Sequence, residues 1–219
     1  GIVTYGVNNG AHLFRPDFWS SVDDPTRFMP SIWRDPAIRK FVPMSHFTKP
    51  IWDGERGMLS EERVADFPNV VSFRRNEKFR ADQWLWEDTI NWGNHGRLGG
   101  GRSVMLAALR ISHLLGFRRV CLVGCDFRMD AATRYWFPEG RSENAIRNNM
   151  NSYESMRGFF RELLPHFEAA GFEVINATPG SALEVFPMGD LASLVEEAAI
   201  DTSASTEGMY VNRYKKEKS

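Results

Sequence analysis

Several features that mark particular protein classes are scarce or missing in this chain of 219 residues. It has two cysteines, no apolar run near the ~20 residues of a membrane span, and a net charge of −1. This balance gives no electrostatic reason to expect nucleic acid or a membrane surface as a partner. No HExxH, paired CxxC, Walker or Ser-His-Asp pattern occurs, which argues against zinc enzymes, P-loop NTPases and common hydrolases.

The cysteines, Cys121 and Cys125, lie four residues apart on one predicted strand and its end. A strand holds such residues roughly 13 Å apart, which is beyond disulfide reach. We therefore expect buried thiols in a reducing compartment, and with no signal peptide at the start we predict a cytoplasmic protein. The chain opens directly on an apolar run, which fits either a domain that starts on a strand or one preceded by a further βα unit.

The strongest local pattern lies between residues 99 and 129, where a glycine run, an amphipathic helix and an apolar strand follow one another. Helical spacing of apolar residues begins after Ser103, a plausible N-cap, and stops at Gly116, which suits a left-handed helix end. The continuous apolar run 120–123 predicts a strand covered on both faces. Ligands bind at the carboxyl ends of such strands, so the site is expected at residues 124–128.

Elsewhere, single strands alternate with helices. We predict strands over 2–7, 39–42, 70–73 and 172–176, and helices over 31–34, 148–170 and 190–199. This alternation gives βαβ units, so the expected class is α/β with a mostly parallel sheet. One domain over residues 1–200 is expected, with an aromatic-rich insertion or lid over about 44–98, composed of loops and short helices, and a polar tail over 201–219.

The glycine run before the central helix has two interpretations. Gly100 and Gly101 leave backbone amides accessible to an anion at the helix N-terminus, and Arg102 and Ser103 would strengthen phosphate binding there. The alternative is a flexible turn followed by a capping residue. His95, beside this run, is the best histidine candidate for a catalytic base, although a lone histidine is more often structural.

Charged residues follow the central strand. Asp126 could bind a ribose hydroxyl, ligate a divalent cation or act as a base, or it could cap the next loop. Arg128 and Arg134 could clamp a diphosphate with bidentate hydrogen bonds, and Tyr135 could donate its phenolic proton to a leaving phosphate. The alternative for each arginine alone is a solvated surface charge.

Asn8 and Asn9 end the first predicted strand. Asn8 is interpreted equally well as a turn residue or as an amide at the sheet edge, whereas Asn9 favours the turn. Asp23 and Asp24 precede a proline, which indicates turn or capping residues, and we predict no metal site.

Three blocks of sequence, residues 5–9, 101–127 and 169–183, resemble one group of known proteins and cover about half of the chain. The group comprises bacterial sialyltransferase-like proteins of the Campylobacter type, motility-accessory-factor glycosyltransferases and the archaeal 6-hydroxymethylpterin diphosphokinase. The resemblance implies a nucleotide-dependent transferase with a Rossmann-like three-layer sandwich.

The resemblance also implies roles for individual residues. It places Asn8 at the donor site, the strand end at Gly124 and Asp126 against the nucleotide, and the loop from Thr178 to Ser181 nearby. The implied cofactor is a nucleotide-sugar donor, linked to CMP or UDP, and Mg²⁺ enters only if the chain is a diphosphokinase.

Three functions follow as hypotheses. The first is a nucleotide-sugar-dependent glycosyltransferase that acts on a surface glycan or a small-molecule acceptor, with a homo-oligomer allowed. The second is an ATP- and Mg²⁺-dependent diphosphokinase of the hydroxymethylpterin type. The third is a non-catalytic nucleotide- or glycan-binding module. Two departures from the family pattern support it: Asn148 and Asn149 stand where the sialyltransferases have their catalytic histidine, and the family's upstream glycine loop has no counterpart in this sequence.

Overall fold

The computed structural model describes residues 2–12, 14–74, 79–86, 103–129, 143–198, 203 and 205. The strands within these ranges are β1 Tyr5–Val7, β2 Phe18–Ser20, β3 Arg39–Pro43, β4 Pro50–Asp53, β5 Met58–Arg63, β6 Val70–Phe73, β7 Arg119–Leu122 and β8 Glu173–Asn176. The helices are α1 Pro30–Arg34, α2 Val104–Leu114, α3 Glu143–Ala169 and α4 Leu191–Glu197.

The strands form two parallel sheets and one hairpin. The larger sheet has the order β1-β2-β3-β6, and β7 pairs with β8 in a separate parallel sheet. The predicted α/β class with parallel strands is therefore confirmed. The predicted first strand is shorter than expected, and β2 was not predicted.

The antiparallel hairpin β4-β5 corrects the expectation of loops and short helices in the region 51–98. Its turn has a definite chemistry, because the Asp53 carboxylate accepts hydrogen bonds from the backbone N–H groups of Glu55 (3.1 Å) and Arg56 (3.2 Å). Gly57 then takes a left-handed φ of +64°. An aspartate turn that ends in a left-handed glycine is typical of a hairpin. The prediction missed it because the flanking strands show little alternation of polar and apolar residues.

Both ends of α2 agree with the prediction, whereas α3 begins at Glu143, five residues before the predicted start, and α4 begins at Leu191, one residue after it. The Ser103 hydroxyl accepts a hydrogen bond from Met105 N (3.0 Å) and caps α2, which Gly116 follows with φ +93°. Gly171 (φ +60°) follows the end of α3, and the Asp190 carboxylate caps α4. These positions need either a side-chain acceptor or a left-handed backbone, and the residue types supply them.

Helix α2 packs against both parallel sheets. Ala107 and Ile111 belong to a buried cluster with Phe73 of the larger sheet. Leu106 and Leu109 belong instead to the main core, which α3 and the β7-β8 sheet also line. The same helix therefore joins the cores beneath the two sheets.

The prediction of a central strand buried on both faces is wrong in part. Val120 and Cys121 are only half-buried, and Val123, predicted as strand, lies beyond β7 and is 61% exposed. The physical reason is that, among the described residues, β7 pairs with β8 alone and so lies at the edge of its sheet.

The aromatic residues divide between two cores. Trp19 and Trp33, with ring centroids 5.3 Å apart, anchor a cluster beside the larger sheet. In the predicted insertion, residues 79–86 pack on α3, where Trp84 contacts Phe167 with ring centroids 5.5 Å apart. Residues 87–98 of that insertion, and nearly all of the predicted tail, lie outside the described residues. No helix in the described ranges has the length and apolar character to span a bilayer.

Candidate functional site

The chain leaves β7 through two left-handed residues. Gly124 has φ +73° and Phe127 has φ +52°, and together they turn the segment at the carboxyl end of the strand. Phe127 and Met129 are buried, whereas Asp126 is half-buried and Arg128 between them is exposed. The turn therefore fixes two apolar side chains in the core and leaves two charged ones at the sheet edge.

The loop after β8 is joined to this turn by side-chain and backbone hydrogen bonds. Thr178 Oγ1 accepts a hydrogen bond from Cys125 N (2.9 Å), and the Ser181 hydroxyl donates to Cys125 O (2.5 Å). Ala182 N also donates to Asp126 O (2.8 Å). The predicted ligand residues Thr178 and Ser181 thus lie beside the turn as expected, but their hydroxyls also hold the two loops together.

Two residues that shape this region were not predicted from the sequence. The buried Asn176 at the end of β8 donates from Nδ2 to Leu183 O (3.1 Å) and accepts at Oδ1 from Thr178 N (3.0 Å), so its amide holds the loop in shape. Arg157 of α3 reaches the same region through its guanidinium group. Asn176 carried a sequence signal, since a polar residue that ends an apolar strand must find partners when buried. Arg157 carried none.

Asp126 and Arg128 carry opposite charges at this edge of the sheet. Within the described part of the chain, neither side chain makes a hydrogen bond or an ion pair. Gly180, which has φ +68°, lies opposite Arg128, and a Cβ there would lie 3.8 Å from Nη2 of the arginine. The guanidinium therefore lies beside the β8 loop, and a carboxylate lies two residues away in the chain.

The neighbouring thiols are unsuited to nucleophilic chemistry. Cys121 and Cys125 are both free, as predicted, although each is half-buried rather than buried. Burial, together with the charges of Asp126 and Cys121, raises the pKa of the Cys125 thiol to about 12. Burial also raises the pKa of Cys121. Because the thiolate is the reactive form, Cys125 is protonated and unreactive near neutral pH.

Asn8 lies at the corresponding edge of the larger sheet and has a left-handed φ of +46°. Its Oδ1 accepts a hydrogen bond from the Ser21 hydroxyl (3.1 Å), and its carbonyl accepts one from Trp19 Nε1 (2.8 Å). Asn9 follows in a short 3-10 helix. No hydrogen bond in the described ranges joins Asn8 to the β7-β8 loops.

A small cavity borders Asn8. It has a volume of about 60 Å³ and is lined by Asn8, Ala11, Phe28, Met29, Ser31 and Ile32. That volume has room for a few water molecules, and typical ligand pockets are several times larger.

Asp23 and Asp24 have the turn and capping roles that the sequence indicated. The Asp24 carboxylate caps the short helix Pro25–Arg27 through Thr26 N (3.1 Å), and Asp23 pairs with Arg27. Among the residues described, no group of three or more His, Cys, Asp and Glu side chains could hold a metal ion.

Six of the predicted site residues lie outside the described residues: His95, Gly100, Gly101, Arg102, Arg134 and Tyr135. Ser103 is described, and its observed role is the N-cap of α2. The structure thus brings together Gly124, Asp126, Thr178 and Ser181 with Arg128, while Asn8 lies in a different cluster.

Comparison of the chain with protein-family models, with curated proteins and with solved structures finds no match.

Proposed function

We propose that this chain is a nucleotide-sugar-dependent glycosyltransferase whose nucleotide site lies at the carboxyl ends of β7 and β8. One observation carries the proposal: Asp126 and Arg128 have no partner in the described part of the chain, while the hydroxyls beside them are hydrogen-bonded. Two opposite charges without a partner among the described residues thus lie at the edge where parallel α/β sheets bind ligands.

Each charged group has a role in the proposed reaction. The Arg128 guanidinium binds the nucleotide phosphate through paired N–H donors and stabilises the negative charge that grows as the sugar departs. The Asp126 carboxylate accepts hydrogen bonds from ribose or sugar hydroxyls. Arg134, Tyr135 and His95 complete the proposed set as a second phosphate ligand, a proton donor to the phosphate and a base.

The proposal includes a Rossmann-like three-layer arrangement and a glycan or small-molecule acceptor. Parallel pairing in both sheets, and the packing of α2 against both, support the arrangement. The free thiols of Cys121 and Cys125 support a reducing, cytoplasmic location.

Thermal unfolding in the presence of CMP, CDP, UDP, GDP and ATP, each with and without Mg²⁺, tests the proposal. A ligand at 100 times its Kd stabilises the native state by ~2.7 kcal/mol, which shifts the melting curve measurably. We expect a metal-independent shift with a cytidine or uridine nucleotide. A shift that requires both ATP and Mg²⁺ would favour a diphosphokinase, with Asp126 as a metal ligand, and would contradict glycosyl transfer.

Turnover separates the enzyme from a binding module. With the nucleotide sugar that corresponds to the stabilising nucleotide, the transferase releases free nucleotide when an acceptor mixture is added. Nucleotide binding without any such release would support the non-catalytic alternative. If none of the nucleotides shifts the melting curve of a folded sample, the chain has no working nucleotide site and the proposal is wrong.

A further inference from the structure

One stripe of α3 contacts the segment that carries Arg128. The ring of Tyr153 lies 5.1 Å from that of Phe127, and the ring of Phe160 lies 6.1 Å from it. Met129 N donates to Met150 Sδ (3.3 Å). The helix therefore contacts the buried residues on both sides of Arg128.

Arg157 lies in the same stripe, one turn beyond Tyr153, and its guanidinium contacts two separate loops. Nη2 donates to Phe127 O (3.0 Å) in the β7 turn, and Nε donates to Ala182 O (3.1 Å) in the β8 loop. Nη1 pairs with Glu154 on the helix itself (2.6 Å). With its side chain only 16% exposed, Arg157 is a largely buried link between α3 and both loops.

The hydrogen bond from Arg157 to Phe127 O holds a residue whose backbone is left-handed, with φ +52°. A left-handed φ in a bulky aromatic residue is unfavourable and persists only where the surroundings impose it. The buried ring and the hydrogen-bonded carbonyl of Phe127 fix this residue from two sides. Its conformation in turn sets the backbone directions at Asp126 and Arg128, which adjoin it.

We propose that Arg157 is a positioning residue that holds Arg128 in place for the ligand phosphate and Asp126 in place for the ribose or sugar hydroxyls. The identity of the ligand rests on the proposed function. The two hydrogen bonds from Arg157 to Phe127 O and Ala182 O, which we call the clamp, do not depend on it. Arg157 acts through the backbone at Phe127 and Ala182, and among the described residues its guanidinium makes no hydrogen bond or ion pair with the Asp126 or Arg128 side chains.

The chemistry of the clamp is specific to arginine. Its planar guanidinium offers N–H groups in fixed, divergent directions, which suits simultaneous bonds to two carbonyls and a carboxylate. A lysine keeps the charge but has a single compact ammonium on a flexible stem. The substitution Arg157→Lys therefore tests the geometry separately from the charge.

The clamp is tested by amide hydrogen exchange on the full chain, comparing wild type with R157K and R157M. The informative amides are those of Cys125 and Ala182, which bond across the two loops. We expect their exchange to accelerate about tenfold or more in R157K, since charge-assisted hydrogen bonds are lost. The amide of Glu173, which donates to Arg118 O (2.7 Å) at the opposite end of β8, should keep its protection.

Arg161→Lys is the matched control. Arg161 lies one turn further along α3, is 61% exposed and makes a longer ion pair of 3.8 Å with the same Glu154. R161K should leave every loop amide unchanged. Unchanged exchange at Cys125 and Ala182 in R157K would overturn the proposal, as would a uniform acceleration across the whole sheet, which would indicate general destabilisation.

A binding measurement separates this proposal from the proposed function. We expect R157K to weaken CDP or UDP binding about tenfold while the protein remains folded and R161K binds like wild type. If wild type binds neither nucleotide, the proposed function fails, and the exchange experiment alone decides the role of Arg157. If both nucleotides bind R157K as tightly as wild type, the positioning role is wrong even though nucleotide binding stands.

Discussion

At the scale of single residues, Lys40 of β3 shows how the fold accommodates a buried charged side chain. Its side chain is fully buried, and Nζ donates to three backbone carbonyls, those of Asp35 (2.6 Å), Ile38 (3.0 Å) and Pro68 (2.9 Å). The ammonium thus satisfies carbonyls from two segments that flank the strand. A buried charge is tolerated where every donor has an acceptor.

Replacing Lys40 with methionine should therefore destabilise the protein. Lys40→Met keeps the length of the side chain but leaves three carbonyls without their donor, so we expect a loss of about 2–3 kcal/mol in the free energy of unfolding. Urea denaturation measures it. Lys49→Met is the control, because its ion pair with Asp24 is exposed and should contribute about 0–1 kcal/mol. Equal losses in the two variants would contradict the account.

Lys40 also makes stability depend on pH. Burial lowers its pKa from 10.5 to about 8. Between these values the unfolded chain holds the proton that the folded chain has released, so unfolding takes up a proton and becomes less favourable as pH rises. The free energy of unfolding of wild type should therefore rise relative to K40M from pH 8 to 10. A constant difference across that range would show that the pKa of Lys40 is not lowered.

The residues of the candidate site could be predicted only in part. Asp126 and Arg128 followed from the rule that ligands bind at strand ends. That Thr178 and Ser181 tie the loops together could not be predicted, because their partners lie more than fifty residues away in sequence. Arg157 likewise depends on tertiary contacts that a helical pattern does not reveal.

At the scale of elements, two glycines of α3 and its C-terminal end differ in backbone conformation but not in the space around them. Gly158 lies inside α3 and a Cβ there meets no atom within 4 Å, whereas Gly171 ends that helix with φ +60° and is equally uncrowded. Space is available at both sites, so the backbone conformation alone distinguishes them.

Alanine substitutions at these glycines should have opposite effects. Gly158→Ala should stabilise the protein by about 0.5–1 kcal/mol, because alanine is the better helix former. Gly171→Ala should destabilise it by about 1–2 kcal/mol, because a left-handed residue with a Cβ is strained. Thermal unfolding checks both, and destabilisation of similar size in the two variants would contradict the helix boundaries described here.

Elements with local signals were predicted well and others were missed. Capping residues and helical periodicity gave the positions of α2 and α4, and an apolar run gave β6. The three-residue strand β2 was missed because its Phe-Trp-Ser sequence is too short to show a period of two. The hairpin β4-β5 was missed since β5 is largely exposed on both faces and so lacks alternation.

At the scale of the whole molecule, α2 contributes buried residues to the cores of both parallel sheets, so we expect the two sheets to unfold as one cooperative unit. Leu109 and Ile111, each 2% exposed, pack into the cores of different sheets from the same helix. Loss of either contact should weaken the attachment of α2 and hence both cores. The sequence predicted the helix and its apolar residues, but not that its two sides serve different sheets.

Alanine at either position tests this coupling. Leu109→Ala and Ile111→Ala should each cost about 2–4 kcal/mol, the usual range for truncating a buried aliphatic side chain. Unfolding followed by tryptophan fluorescence and by far-ultraviolet circular dichroism should give coincident single transitions in both variants. Two separated transitions in either one would show that the sheets unfold independently.

The central claim of the proposal is that Arg128, at the carboxyl end of β7, binds a nucleotide phosphate, while Asp126 beside it accepts hydrogen bonds from the ribose or sugar. The most direct test is titration of wild type, R128Q and R56Q with CDP and UDP, followed through backbone amide signals. Arg56 is the control because it lies in the exposed turn between β4 and β5, with a side chain 75% exposed.

The account predicts signal changes concentrated in residues 124–128 and 177–182, with affinity about 10- to 100-fold weaker in R128Q and unchanged in R56Q. Signal changes elsewhere in the chain, or equal affinity in wild type and R128Q, would contradict it.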